Sequence, residues 1–309
     1  EMLEEDGDLR LTRIAGDPPL VVVEVLREGQ VAEAIVLRDE LRAREWLVAL
    51  SLARRYAAAG ADLDQLMACF HPEGRLVDHR PLQLHDAADT TALREFFINS
   101  GRLLDGPRAT QEVFDAYPGV ELGVMTWTAT DRATGGPVEW RTFGACRIRD
   151  SLLDEVHSFD DLEPALAKLE ELSPWAAHAG IAGRYVETVN ARDWDALAKL
   201  FTDDCAFVEH RPVGWQDAKG AGDFVAINRK TVELTADQSL RVEIIDDDGS
   251  GVLAIRQLSS GTWQGGPWET RIDCAIGLRD GLIARSEMFT PDQRDELQVR
   301  LAELRADRR

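Results

Sequence analysis

Hydrophobic and polar positions follow two different periods along this chain, and both periods recur in the same order. Apolar residues three to four positions apart predict a first helix in "WLVALSLARRYAAA", from Trp46, and in "HAGIAGRYVETVN", from His178. A short second helix, a strand and a third helix follow in each case. Stretches that alternate residue by residue, such as "VELGVMTWTATD" from Val120, then predict strands. Helices first and antiparallel strands last predict an α+β fold in which a curved sheet wraps around three helices.

The predicted elements repeat in sequence as well as in order. "GGPVEWRTFGACRIRDSLL", from Gly135, aligns without a gap on "GGPWETRIDCAIGLRDGLI", from Gly265. The segments upstream and downstream of these two strings also match, so we interpret the pattern as a duplication. It predicts tandem cone-shaped modules at residues 46–173 and 174–309, called here the second and third modules, with a boundary near Ser173-Pro174.

A partial copy opens the chain. "VVVEVLREGQVAEAIVLRDELRAREWLVAL" fits the tail of the third module, so residues 1–45 are interpreted as the last strands and final helix of a first module, called here the remnant. We expect strands over residues 20–37 with a hairpin near Glu28-Gly29, then a helix through Trp46. Because a sheet fragment cannot bury both faces alone, we expect it to pack on the second module. The chain opens with "EMLEEDGDLR", and we expect it to be part of a longer protein.

The composition excludes several classes of partner. The net charge of −21 disfavours nucleic acid and anionic membrane surfaces, because both would repel the protein. The apolar runs are too short to cross a bilayer. Four cysteines without CxxC spacing predict buried, reduced thiols in a cytoplasmic protein, and no metal site or cofactor is expected.

An acidic residue followed by His-Arg-Pro occurs once in each complete module. Side chains alternate along a strand, so the acid and the arginine share one face, about 6.6 Å apart along the strand, and the histidine points to the other. Inside the cone, the pair could grip a ligand or could be a buried ion pair that holds the fold. The residues are Asp78, His79 and Arg80 in one copy and Glu209, His210 and Arg211 in the other.

Tryptophans supply a second set of candidates for a ligand site. Trp127 and Trp140 lie on predicted strands of the second module, and Trp215, Trp263 and Trp268 lie close together in the third. Aromatic walls line many small-ligand pockets, but the same residues also fill cores. The candidate ligand-binding residues are Asp78, Arg80, Trp127, Trp140, Glu209, His210, Arg211, Trp215, Trp263 and Trp268.

The element order and the string "LFTDDCAFVEHRP", from Leu200, resemble the nuclear transport factor 2-like superfamily, which includes SnoaL-like polyketide cyclases, limonene epoxide hydrolases and ketosteroid isomerases. The resemblance covers nearly the whole chain and implies a cone-shaped fold. In the epoxide hydrolases an Asp-Arg-Asp set holds water and protonates the epoxide, and Arg271 and Asp273 resemble part of such a set. With Glu209, these two residues are the candidate catalytic residues of the third module. The second module has Phe143 in place of Asp273.

A closer resemblance is to repeated modules at the C-terminal ends of large actinobacterial regulatory proteins, carried by "EHRPVGW" and "HSFDDLEPALAKLEEL". It implies non-catalytic modules that sense a small ligand or bind a protein. The alternatives are an epoxide hydrolase, isomerase or polyketide cyclase acting on an apolar substrate in the third module, and a structural platform for dimerisation. The expected partners are a small apolar or anionic ligand and either a second copy of the chain or a region of the protein outside it.

Overall fold

The computed structural model describes residues 2–6, 8–14, 20–27, 30–37, 40–81, 86–212, 214, 217–235 and 237–308. The chain divides into two compact units, Glu1–Ser173 and Pro174–Arg309. The predicted α+β class is confirmed: both units contain curved, mostly antiparallel sheets with helices packed against them. Among the described residues, none of the helices combines the length and the hydrophobicity that a membrane span requires.

The remnant is a four-stranded antiparallel sheet. Its strands are β1 (Met2–Asp6), β2 (Leu9–Ile14), β3 (Leu20–Arg27) and β4 (Gln30–Leu37), in that order across the sheet, and helix α1 (Glu40–Ala59) follows. The predicted strands over residues 20–37 and the helix through Trp46 are confirmed, whereas Glu28-Gly29 lies outside the described residues. The sheet buries Leu11 and Val23 together with Trp46 of α1 and with Ala116 of the second module. Helix α1 therefore belongs to two cores, because its later residues Leu52 and Tyr56 pack in the second module.

The second module continues from α1 with helices on both faces of a five-stranded sheet. Strand β5 runs parallel to β9, and the other pairs are antiparallel, in the order β5-β9-β8-β7-β6. The elements are α2 (Leu63–Met67), β5 (Phe70–Asp78), α3 (Thr90–Leu103), β6 (Leu104–Tyr117), β7 (Val120–Asp131), β8 (Pro137–Arg149), β9 (Leu152–Phe159) and α4 (Leu162–Leu172).

The third module has the same element order. Its sheet has the order β11-β10-β15-β14-β13-β12, again with one parallel pair, β10 and β15. The elements are α5 (Pro174–Ala191), α6 (Trp194–Ala198), β10 (Phe201–Glu209), β11 (Ala218–Lys219), α7 (Gly220–Leu234), β12 (Ser239–Asp247), β13 (Val252–Trp263), β14 (Gly266–Arg279), β15 (Leu282–Phe289) and α8 (Arg294–Ala306).

The sheet of each complete module has a concave face toward the first three helices of that module and a convex face toward its final helix. In the third module Cys274 and Ile276 of β14 point to the concave face, where they pack with Tyr185 and Phe207. Ala275, between them, points to the convex face and packs with Leu297 of α8. The strand period of two thus assigns every residue of β14 to the cone or to its outer surface.

Candidate functional site

The cone of the second module contains a cavity of about 410 Å³. This volume lies within the range of about 300–1,000 Å³ usual for small-molecule sites. Its wall is mostly apolar and includes the aromatic residues Tyr56, Phe70, Phe97, Trp127 and Trp140. The two tryptophans stack with ring centroids 5.7 Å apart on the concave face. Both predicted tryptophans of this module therefore line a cavity.

The cone of the third module is filled by side chains. Phe207 of β10 stacks on Phe224 of α7, with ring centroids 4.1 Å apart, and Phe201 packs against both. A space of about 20 Å³ remains there, too small for more than a water molecule.

Small residues on the concave face account for the difference. Strand pairing shows the equivalent positions: Gly123 of β7 lies opposite Gly144 of β8, where the third module pairs Ile255 with Cys274. Likewise, Leu76 of β5 replaces the bulkier Phe207. A Cβ atom at Gly123 would lie 2.8 Å from the Glu112 carbonyl oxygen, so this position accepts only glycine without a backbone shift. At Gly144 the nearest atom to such a Cβ is Cys146 Sγ at 3.5 Å, an ordinary contact.

Arg80 contributes a fixed positive group to the cavity wall. Its guanidinium is held by Asp78 through two hydrogen bonds, Nε to Oδ1 at 2.7 Å and Nη2 to Oδ2 at 2.8 Å. The hydrogen bond to Asp78 raises the pKa of Arg80, so the charge is permanent. Its Nη1 faces Thr142 Oγ1, 3.4 Å away, and both residues line the cavity. Because Asp78 cancels the charge, the pair offers hydrogen-bond donors with no net charge.

Glu121 is an ionisable group inside the apolar wall of the cavity. It lies on β7, and its side chain is completely buried. Gln111 Nε2 donates a hydrogen bond to Glu121 Oε1 at 3.0 Å, while Oε2 has no hydrogen-bond partner among the described residues. Burial raises the pKa of Glu121 to about 7, although the hydrogen bond from Gln111 opposes this rise. The carboxyl is therefore protonated in a large fraction of molecules at neutral pH.

The histidines of the two acid-His-Arg-Pro strings point to the convex face, as predicted. His79 Nε2 lies 2.9 Å from His157 Nδ1, and His157 Nε2 lies 2.7 Å from Glu155 Oε1. In the third module His210 Nε2 lies 2.8 Å from Glu287 Oε2. Each string histidine also stacks on a phenylalanine of the final strand, at a ring distance of 4.5 Å. They belong to the convex side of the sheets and not to the cones.

The third-module arginine of the string is paired as predicted. Arg211 binds Glu209 through two hydrogen bonds, Nε to Oε1 at 2.7 Å and Nη2 to Oε2 at 2.5 Å, just as Arg80 binds Asp78. The expectation that each arginine contacts a carboxylate, either the acid two residues earlier or one on a neighbouring strand, is confirmed in both modules, and the partner is the acid two residues earlier. Arg80 lines the cavity of the second module, whereas Arg211 does not line the small space in the cone of the third.

The expected catalytic set of the third module does not form, which corrects the interpretation drawn from the sequence. Glu209 belongs to the concave side, but Arg271 and Asp273 alternate with Ile272 and Cys274, which pack inside the cone. Asp273 is buried on the convex face, where Arg256 holds it at 2.7 and 2.8 Å. Arg271 is half exposed and lies 3.9 Å from Glu269. The predicted alternation of side chains along β14 is correct, but the face that points into the cone is the apolar one.

The tryptophans of the third module do not form a pocket either. Trp263 is 52% exposed, and neither Trp263 nor Trp268 lines the small space in the cone. Trp215 lies outside the described residues. Phenylalanine, isoleucine and leucine side chains fill this cone instead.

Sequence reasoning missed several polar residues of the cavity, among them Gln111, Glu121 and Thr142. The signal was a charged residue in the apolar run "VELGVM", where the third module has Leu253 in "VLAI". The described residues contain no group of three His, Cys, Asp or Glu side chains arranged for a metal ion, and all four cysteines are buried.

The comparison with family models gives one match. Residues 182–286 match the SnoaL-like domain family. This match lies in the third module, from α5 to β15. The third module is the one whose cone is filled by side chains. None of the curated proteins compared with the chain matches it.

Solved structures similar to the chain each correspond to about two fifths of its length. Bal32a, from a soil-derived mobile gene cassette, is 14% identical, covers 41% of this chain and 98% of its own, and has a TM-score of 0.35. PrhC from Penicillium brasilianum is 16% identical, covers 42% and 91%, and scores 0.35. An NTF2-like protein of unknown function from Exiguobacterium sp. is 18% identical, covers 36% and 98%, and scores 0.32.

Proposed function

We propose that the second module is a receptor for a small, mostly apolar molecule, which binds in the cone between its helices and the concave face of its sheet. The observation that carries the proposal is the contrast between two modules with the same element order. One cone is filled by Phe201, Phe207 and Phe224, and the other contains a cavity of about 410 Å³. A core that serves stability alone is close-packed, so an open aromatic cone in one copy favours binding.

In this proposal the two modules have different roles. The second binds the ligand, and the third is a filled SnoaL-like module that supports contacts with a second copy of the chain or with a region of a longer regulatory protein. The sequence resemblance to modules of regulatory proteins favours sensing over catalysis. This assignment restricts the ligand site to the second module, although the sequence predicted candidate residues in both modules.

A proton-transfer enzyme is the second candidate, and Glu121 is the observation that favours it. A carboxyl with a pKa of about 7 in an apolar site is suited to general acid-base chemistry near neutral pH. In an isomerase, its carboxylate form would take a proton from a carbon beside a ligand carbonyl and return it to another carbon. Exchange of the methyl protons of 2-acetylnaphthalene with D₂O distinguishes the candidates, because a sensing module leaves these protons in place.

Filling the cavity is expected to abolish binding without unfolding the module. Gly144→Leu would project a side chain into the cone from a position with free space. We expect affinity for the apolar probe 2-isopropylnaphthalene to fall at least tenfold, measured by titration calorimetry. Stability should hold or rise by about 0.5–1 kcal/mol, because glycine weakens a strand. Gly144→Ala, which leaves most of the cavity open, is the matched control and should still bind. Equal affinity in both variants and the wild type would place the probe elsewhere and refute the proposal.

A further inference from the structure

Among the described residues of the cavity wall, Glu121 is the buried group that the packing of the module does not explain. An unpartnered carboxyl oxygen in a protein interior costs free energy, and the third module avoids this cost with Leu253 at the equivalent position. Gln111 satisfies only one of the two oxygens. A buried group with this pattern requires an explanation, and a ligand in the cavity is one that the geometry allows.

The hydrogen bond from Gln111 determines which carboxyl oxygen of Glu121 lacks a partner. Gln111 Nε2 donates to Oε1, so Oε1 acts as an acceptor and the proton of the neutral acid resides on Oε2. Gly123 is the next residue on the same face of β7, and Gly144 lies opposite it, so the space beside Glu121 is not filled by side chains. Oε2 is itself buried and has no hydrogen-bond partner among the described residues.

We propose that protonated Glu121 donates a hydrogen bond from Oε2 to an acceptor oxygen of a neutral ligand. The site would then select ketones, esters and related carbonyl compounds over hydrocarbons of the same shape and over carboxylates. This inference rests on the proposed ligand-binding function of the same cavity.

The other charged and titratable groups around the cavity do not supply this selectivity. Arg80 is neutralised by Asp78, and Asp105 pairs with Arg132 at the exposed mouth, 3.5 Å apart. On the neighbouring strand Cys146 lies opposite Glu121, and burial raises its pKa well above the ordinary value, so the thiol stays neutral. Burial also raises the pKa of Tyr56 on α1. A carboxylate ligand would place a negative charge in this apolar site without a free cation among the described groups that line it.

The hydrogen bond makes ligand binding dependent on pH in a definite direction. Burial raises the pKa of Glu121 to about 7, so the donor is present below that pH and is lost above it. A carbonyl ligand stabilises the protonated form, and its affinity therefore falls as the pH rises through the pKa. A hydrocarbon ligand makes no hydrogen bond and should depend less on pH.

Two probes of similar shape test the inference. We expect the wild-type chain to bind 2-acetylnaphthalene about tenfold more tightly than 2-isopropylnaphthalene at pH 5.5, the value of one hydrogen bond in a dry site, and to lose this preference by pH 9. Glu121→Gln offers a neutral amide donor and should keep the preference at both pH values. Glu121→Leu, which introduces the residue type of Leu253, should bind both probes equally. The anion 2-naphthoate should bind at least tenfold more weakly than the ketone.

The outcomes separate this inference from the proposed function. If neither probe binds, the ligand-binding function fails. If both probes bind but Glu121→Leu retains the preference for the ketone, the cavity binds ligands and the role of Glu121 is wrong. A preference that is independent of pH in the wild type would also overturn the role of Glu121.

Discussion

Replacing Arg211 by leucine is expected to lower the free energy of unfolding of the third module by about 3–5 kcal/mol, as is typical when one partner of a buried ion pair is removed. The side chains of Arg211 and Glu209 are only 11% and 6% exposed. Gly214 also packs directly on Glu209, since a Cβ atom at Gly214 would lie 2.3 Å from Glu209 Oε2. The variant would leave a buried carboxylate facing a hydrocarbon side chain.

Arg80→Leu is expected to cost a similar amount in the second module, because the Asp78 side chain is only 1% exposed. Hydrogen exchange of the full chain, followed by mass spectrometry, reports each module separately. The control is the double change Arg211→Leu with Glu209→Leu, which removes both charges and should recover most of the loss. If the backbone amides of both single variants are as well protected from exchange as those of the wild type, the two ion pairs do not stabilise the fold.

Stability should also depend on pH through Glu121. Its pKa rises from the ordinary 4.5 to about 7 in the folded protein, so between these values the unfolded chain releases a proton that the folded chain retains. The contribution of this group is therefore neutral below pH 4.5, becomes destabilising as the pH rises, and levels off above pH 7. Its full size is on the order of 3 kcal/mol.

Glu121→Gln removes this titration and retains a similar shape. We expect the variant to match the wild type near pH 4.5 and to exceed its free energy of unfolding by on the order of 3 kcal/mol at pH 8. Urea unfolding at several pH values measures the difference, which cancels the contributions of all other groups. A difference between variant and wild type that stays constant from pH 4.5 to 8 would show that Glu121 keeps its ordinary pKa.

Sequence periodicity was sufficient for the fold. The apolar spacing after Trp46 and His178 and the alternation after Val120 correspond to helices and strands in the structure. The pairing of each string arginine with its acid also followed from strand geometry alone, because residues two apart share one face. These features depend on the periodic spacing of residues that are close in sequence, and a single sequence shows that spacing directly.

The site could not be located in the same way, because a sequence repeat reveals what the modules share. The cavity depends on what they do not share: Gly123 against Ile255, Gly144 against Cys274, and Glu121 against Leu253. Which face of β14 points inward depends on the packing of α8 against Ala275, a tertiary contact that alternation cannot reveal. For that reason the set of Arg271 and Asp273 was assigned to the wrong side of the sheet.

A crystal structure of the chain with 2-isopropylnaphthalene tests most directly whether the two cones differ in function. We expect electron density for the probe inside the second module, between the stacked Trp127 and Trp140 and the glycines of β7 and β8, with none in the third module, where Phe207 and Phe224 occupy the corresponding space. Density for the probe within the third cone, or a second cone closed by its own side chains, would contradict this assignment.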